Sequence, residues 1–195
     1  MRPFTILLTL LPLAACNSGP SVTATNATQA EVQEKVAAAS AASGTPMVEP
    51  GRWEGKVTMH DIDLPNMPAQ AKAQMKAQMG QGQSFISCVT PEDVKEQKAF
   101  FTGDGNDKSC KYDRFVLAGG KVDGAMTCDH GGGNKMRMTM SGVYAPQSYR
   151  MDMSSRAEGT APMGAMSMRM TVEAKRVGTC RGSKDELRTH RQAGA

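Results

Sequence analysis

The chain is short of histidine, of charge of one sign and of long apolar runs. Its three histidines, His60, His130 and His190, are scattered, and no Gly-x-Ser-x-Gly or His-Glu-x-x-His occurs. Hydrolytic or acid–base chemistry needs a nucleophile with its base, or paired acids in a pocket. No such grouping is signalled, so the expectation is a protein that is not an enzyme. Gly131-Gly132-Gly133 precedes a strand pattern rather than a helix, which removes it as a phosphate cradle. The formal net charge is +4 over 195 residues, with Lys and Arg interspersed among Asp and Glu. That balance gives no nucleic-acid surface. The apolar run Phe4 to Leu13 is too short for a membrane-spanning helix, which takes about 20 residues.

What that run does fit is a secretory signal. Arg2 precedes it and the small residues Ala14 and Ala15 follow it, so residues 1–15 read as a signal peptide. Leu13-Ala14-Ala15-Cys16 resembles the lipobox of bacterial lipoproteins. The resemblance implies covalent diacylglycerol on Cys16 and, with Asn17 rather than aspartate next, an outer-membrane address facing the periplasm. Acyl chains contribute about 0.8 kcal/mol per buried methylene, enough for a lasting membrane anchor. Residues 16–46, rich in Ala, Ser and Thr, have few large apolar residues and read as the lipidated cysteine plus a flexible tether. A short helix around Gln29 to Ala39 would be marginal by itself. Residues 47–182 form the globular part, and residues 183–195 a polar, frayed tail.

Setting Cys16 aside leaves Cys88, Cys110, Cys128 and Cys180, an even number that suits two disulfides outside the cytoplasm. Cys128-Asp129-His130 therefore does not read as a metal-site fragment. Ala118-Gly119-Gly120 is a three-residue hairpin signal that sets Val116 opposite Val122 and Cys110 opposite Cys128. A Cys110–Cys128 bridge follows from that register, and Cys88–Cys180 follows by elimination among three connectivities.

Trp53, Val57 and Met59 alternate with Arg52, Glu54, Lys56 and Thr58, as in a half-buried strand. Met67, Ala71, Met75 and Met79 recur every four residues, which predicts an amphipathic helix ended by Gly80. Ser84 to Val89 reads as a strand. Thr90-Pro91-Glu92-Asp93 caps a helix expected to reach Phe100 or Phe101, before a polar loop at 102–108. Further strands are expected at 134–144, 147–156 and 165–177.

Sixteen methionines are present, and in the last three strands they alternate with polar residues. A period of two places Met136, Met138, Met140, Met151, Met153, Met166, Met168 and Met170 on one face. Packed against the methionine-bearing helix and Trp53, Phe85, Phe115 and Leu117, this face would be core. Curled around a cavity, it would take an apolar ligand. Converging thioethers would instead suit Cu(I), with Met136, Met138, Met140, Met166, Met168 and Met170 as the donors and His60 as the one histidine within reach.

Four stretches carry a family resemblance: Pro50-Gly51-Arg52-Trp53-Glu54, the hairpin from Cys110 through Gly120 to Cys128, the run Met166 to Met170, and Arg176-Val177-Gly178-Thr179-Cys180. From Pro50 to Cys180 the chain resembles a proteobacterial secreted family, the domain of unknown function 3617. The resemblance implies a four-cysteine, β-rich secreted domain and supplies no catalytic residues. The expected fold is α+β, an antiparallel meander of about five to seven strands with one or two covering helices, stapled by disulfides. The expected role is a non-enzymatic envelope lipoprotein that binds an apolar ligand or an envelope partner, with periplasmic Cu(I) binding as the alternative.

Overall fold

The computed structural model describes residues 19–65, 67–80, 82–97, 108–159, 165–182 and 187–188. Residues 1–18, and with them the segment expected to be a signal peptide and Cys16, lie outside the described residues. So do most of the loop expected at 102–108 and most of the tail.

The core of the architecture is a meander of five consecutive strands: β4 (Cys110–Ala118), β5 (Lys121–Asp129), β6 (Lys135–Ala145), β7 (Ser148–Glu158) and β8 (Met166–Gly178). On its β8 side stand β2 (Gly51–Asp63) and β3 (Gln83–Val89), and on its β4 side stands β1 (Val22–Thr28). The sheet order is β1-β4-β5-β6-β7-β8-β2-β3-β9, where β9 is the two-residue Leu187–Arg188. Every pairing is antiparallel except β3 with β9, which is parallel. Three helices accompany the sheet among the described residues: α1 (Gln29–Ser43), α2 (Ala69–Gly80) and α3 (Pro91–Lys95). The chain is thus α+β and mostly strand. The meander and its β2–β3 flank account for seven strands; β1 and β9 come from the segments read as tether and tail.

Those two segments are corrections. Residues 16–46 are not a flexible tether throughout, because Val22, Ala24 and Ala27 of β1 and Val32 and Val36 of α1 are all buried in the main core. The segment has few large side chains, but it needs few. Val32 and Val36, one helical turn apart, are 0% exposed, and the alanines around them let the helix lie close to the sheet. Thr28 starts the helix with a capping box: its hydroxyl accepts from the Glu31 N–H while the Glu31 carboxylate accepts from the Thr28 N–H. Gly44, at φ 65°, ends it in the left-handed conformation. In the tail, Leu187 and Arg188 are paired to Ser87 and Cys88 rather than frayed.

Two local expectations also change. The helix after Thr90 stops at Lys95, with Gln97 in a left-handed conformation at φ 57°; Phe100 and Phe101, where it was expected to end, lie outside the described residues. The helix that covers the apolar face is α1. None of the described α2 side chains is buried, and α2 lies against β2 with Lys72 and Lys76 paired to Asp63 and Asp61.

Disulfides join Cys110 to Cys128 and Cys88 to Cys180. The first lies across the β4–β5 hairpin, although the hairpin differs from its expected form. Its turn is the two-residue Gly119-Gly120, both at positive φ, so Leu117 rather than Val116 faces Val122. An extra residue on β4 between Tyr112 and Arg114 shifts the register back by one, and Cys110 faces Cys128 after all.

Two buried clusters share one face of the sheet. The larger gathers Val22, Val32, Val36, Met47, Tyr112, Phe115, Leu117, Val122, Met126 and the Cys110–Cys128 bridge. The smaller gathers Val48, Trp53, Val89 and Ala174, with Phe85, Val94 and Tyr149 packed against it.

Candidate functional site

The register between strands converts the methionine alternation into rows running across the sheet. Met59 of β2 faces Met170 of β8, Met170 faces Met153 of β7, and Met153 faces Met140 of β6. Neighbouring strands lie about 4.8 Å apart, so these four thioethers form a continuous ladder across four strands. Beyond Met140 comes Gly124 of β5, whose missing side chain leaves the space the methionine occupies: a Cβ there would meet Met140 Cγ at 3.1 Å. The next row holds Ile62, Met168, Ser155, Met138 and Met126. The row beyond holds Met166, Ala157, Met136 and Cys128.

All eight methionines of β6, β7 and β8 lie on this face, but only Met151 is buried, at 6% exposure. The other seven are half-buried. Helix α1 makes its contacts with β1 and β4, at the opposite side of the sheet from Met166, Met168 and Met170. The six residues expected as Cu(I) donors are therefore brought to one face but not into one cluster. Met140 and Met170 are linked only through Met153, while Ser155 separates Met138 from Met168 and Ala157 separates Met136 from Met166. Met59 and Met153, absent from that donor set, complete the one unbroken row. The signal for Met59 was its place in the β2 alternation; the signal for Met153 was its place in the stripe itself.

His60 does not join them. The β2–β8 register shifts between Met59 and Asp61, so His60 and Asp61 both turn to the opposite, charged face. There His60 Nε2 lies 2.7 Å from the Thr171 hydroxyl, which donates to Asp152 Oδ1 at 2.6 Å. A hydroxyl has one proton to give, so the imidazole N–H is the donor to Thr171. Around this chain of bonds the face carries Arg150 paired with Glu173 and Arg169 paired with Asp61. The hydrogen bond from Arg169 holds the Asp61 carboxyl below the usual carboxylate range. Among the described residues no group of three or more His, Cys, Asp or Glu side chains is placed to hold a metal ion.

An open cavity of about 860 Å³ is lined by residues of five neighbouring strands, with Glu54, Lys56, Arg150, Glu173 and Lys175 of the charged face beside Gly55, Phe85, Tyr144, Tyr149 and Ala174. Phe85, Gly55, Ala174, Tyr149 and Tyr144 are paired in sequence across the sheet and continue the apolar face below Met151. All three tyrosines of the chain lie on that face. Burial pushes the Tyr112 phenol up to about 12 and raises Tyr144 and Tyr149 in the same direction. The fold thus favours the neutral phenol, a contribution complete below the ordinary value of 10.0 and lost as pH rises through about 12. We expect a near-ultraviolet titration of the native protein to show less phenolate at pH 10 than the urea-unfolded chain, which is half ionised there, with Tyr112 still neutral at that pH.

No described helix is long and apolar enough to cross a membrane. Residues 48–180 match a family model described as Protein of unknown function (DUF3617). No curated protein and no solved structure matches the chain.

Proposed function

The chain belongs to the DUF3617 family, a membership that carries no activity with it, and from that footing we propose that it is a non-enzymatic envelope lipoprotein that holds an apolar ligand against its methionine face. One observation carries the reading: Met153, Met166, Met168 and Met170 stay half-buried on the apolar face outside both buried clusters, whereas Met136, Met138 and Met140 pack against the cluster that α1 covers. A face that served only as core would be closed by a packed layer. Unbranched, polarisable side chains adapt to a ligand without fixed shape, such as an acyl chain, and make no directional demands on it. In this reading Cys16 carries the diacylglycerol, and the protein works at the periplasmic side of the outer membrane.

A second reading, Cu(I) binding, draws on the Met59–Met170–Met153–Met140 row, since soft sulfur donors select Cu(I). One set of variants separates the two. Titration of the lipid-free chain from Asn17, disulfides intact, with a fluorescent fatty acid is expected to saturate. Met140, Met153 and Met170 replaced together by leucine keep the face apolar and leave that affinity within about threefold. The same positions as glutamine weaken it at least about tenfold, since each loses part of the roughly 1.5–3 kcal/mol that burying such a side chain contributes. If the leucine variant instead loses chelator-competed Cu(I) binding present in the parent, and neither protein binds the fatty acid, the metal reading replaces the ligand reading.

A further inference from the structure

The route by which the chain enters the fold fixes one end of the sheet near its start. Pro20 is fully buried, and its carbonyl accepts a hydrogen bond from the Tyr144 hydroxyl at 3.3 Å. Val22 then pairs with Leu117, next to the Gly119-Gly120 turn, and Tyr144 stands next to the Pro146-Gln147 turn. Four residues separate Pro20 from Cys16, a reach of at most about 14 Å. The strands β6 and β7 are 11 residues each, or roughly 36 Å long. Cys16 can therefore stand beside the end with these two turns, and it is kept from the far end by the length of the strands.

The two ends differ in chemistry as well. At the near end, the turns Ala118-Gly119-Gly120-Lys121 and Ala145-Pro146-Gln147-Ser148 contain no carboxylate and one cation. Val143, 52% exposed, lies across from Lys121. Glu49, the carboxylate closest to the second turn, is engaged by Arg176 and Gln147. The far end carries Asp129, His130, Lys135, Arg156 and Glu158. An apolar side chain and a lysine beside uncharged turns suit the interface of a bilayer with anionic headgroups, whereas the far end sets its cations against carboxylates, Lys135 on Asp129 and Arg156 on Glu158.

We infer that the sheet end formed by the turns at 118–121 and 145–148 lies against the phospholipid bilayer that holds the chain. The inference rests on the reading of Cys16 as the lipidated residue. It also gives the cavity a position, because Val143, Tyr144, Ala145 and Ser148 line it at this same end.

Tryptophan emission in vesicles tests the orientation. Trp53, the one native tryptophan, is 1% exposed and contributes a constant background. Three variants, Ala118→Trp, Gln147→Trp and Glu158→Trp, are placed in vesicles of phosphatidylethanolamine and phosphatidylglycerol doped with brominated phosphatidylcholine. Each is examined as the chain purified from membranes, and again as the chain from Cys16 coupled through its thiol to a maleimide phospholipid. The expected result is that the added emission falls by more than half at Ala118 and Gln147 and is unchanged at Glu158. Equal quenching at Glu158 would mean a sheet lying flat, and no quenching at any position would mean a domain held away from the lipid; either overturns the inference. Absence of a diacylglyceryl mass on the purified chain would remove the lipidation reading alone, since the thiol-coupled arm still decides the orientation.

Discussion

A chain that begins at Met47, just before the family match starts at Val48, is expected to fail to reach the native fold, whereas the chain from Asn17 unfolds cooperatively in urea. The truncation removes Val22, Val32 and Val36, which are 7%, 0% and 0% exposed, together with Ala24 and Ala27. Burying a valine contributes about 1.5–3 kcal/mol, so the three together represent roughly 5–9 kcal/mol. A domain of this kind has about 5–15 kcal/mol in all. The loss would also bare Tyr112, Phe115 and Leu117, now 3%, 0% and 0% exposed, along an unpaired β4 edge. Far-ultraviolet circular dichroism through a urea series separates the outcomes. If residues 47–195 melt at the same midpoint as residues 17–195, β1 and α1 are an appendage and their burial counts for little. Val36→Asp in the longer chain should reproduce the effect of the truncation, because it leaves a carboxylate without water in the same core.

The second large effect concerns the disulfides, which are expected to differ in weight. Cys88–Cys180 spans a sequence separation of 92 and Cys110–Cys128 a separation of 18. The chain-entropy model assigns these about 4.6 and about 3.2 kcal/mol. Replacing Cys88 and Cys180 together by alanine should thus lower stability by about 1.5 kcal/mol more than replacing Cys110 and Cys128 together. The short bridge has one compensating loss: Cys128 is 0% exposed and Cys110 7%, so its removal also leaves space in the larger core. Urea midpoints of the two double variants decide the order. Equal or reversed midpoints would show that packing around the hairpin outweighs the longer loop.

The strand alternation was legible because its cause is local. A period of two in Met136–Met140, Met151–Met153 and Met166–Met170 assigns a face without knowledge of which strands are neighbours. The rows were not legible, since Met59–Met170–Met153–Met140 depends on β2 standing beside β8, a pairing between residues more than a hundred positions apart. The hairpin shows a different limit. Its expected turn was one residue too long and the bulge on β4 was unseen, and the two departures offset each other at the cysteines but not at Val116. His60 follows Met59 directly, so alternation by itself turns it to the opposite face, and the bulge then brings Asp61 there as well. The segment before Pro46 was misread through composition. Thr28-Gln29-Ala30-Glu31 is a capping-box pattern and Val32 with Val36 a helical pair, but an isolated helix of that kind is marginal, and its stability comes from strands met later in the chain.

The position of β2 also has a consequence for how the protein is made. In a chain synthesised from its amino end, β2 and β3 are complete and able to pair early, while β8, the other neighbour of β2, follows about a hundred residues later. At about 5–20 residues per second, that delay is roughly 5–20 s. In the same way β1 waits for β4, which begins about eighty residues after it, so both flanks of the meander exist before the strands that join them. Folding dominated by such distant pairings is slow and leaves apolar strand edges open to other chains. The nascent polypeptide is for that reason a natural client for a holding chaperone until residue 178 has emerged.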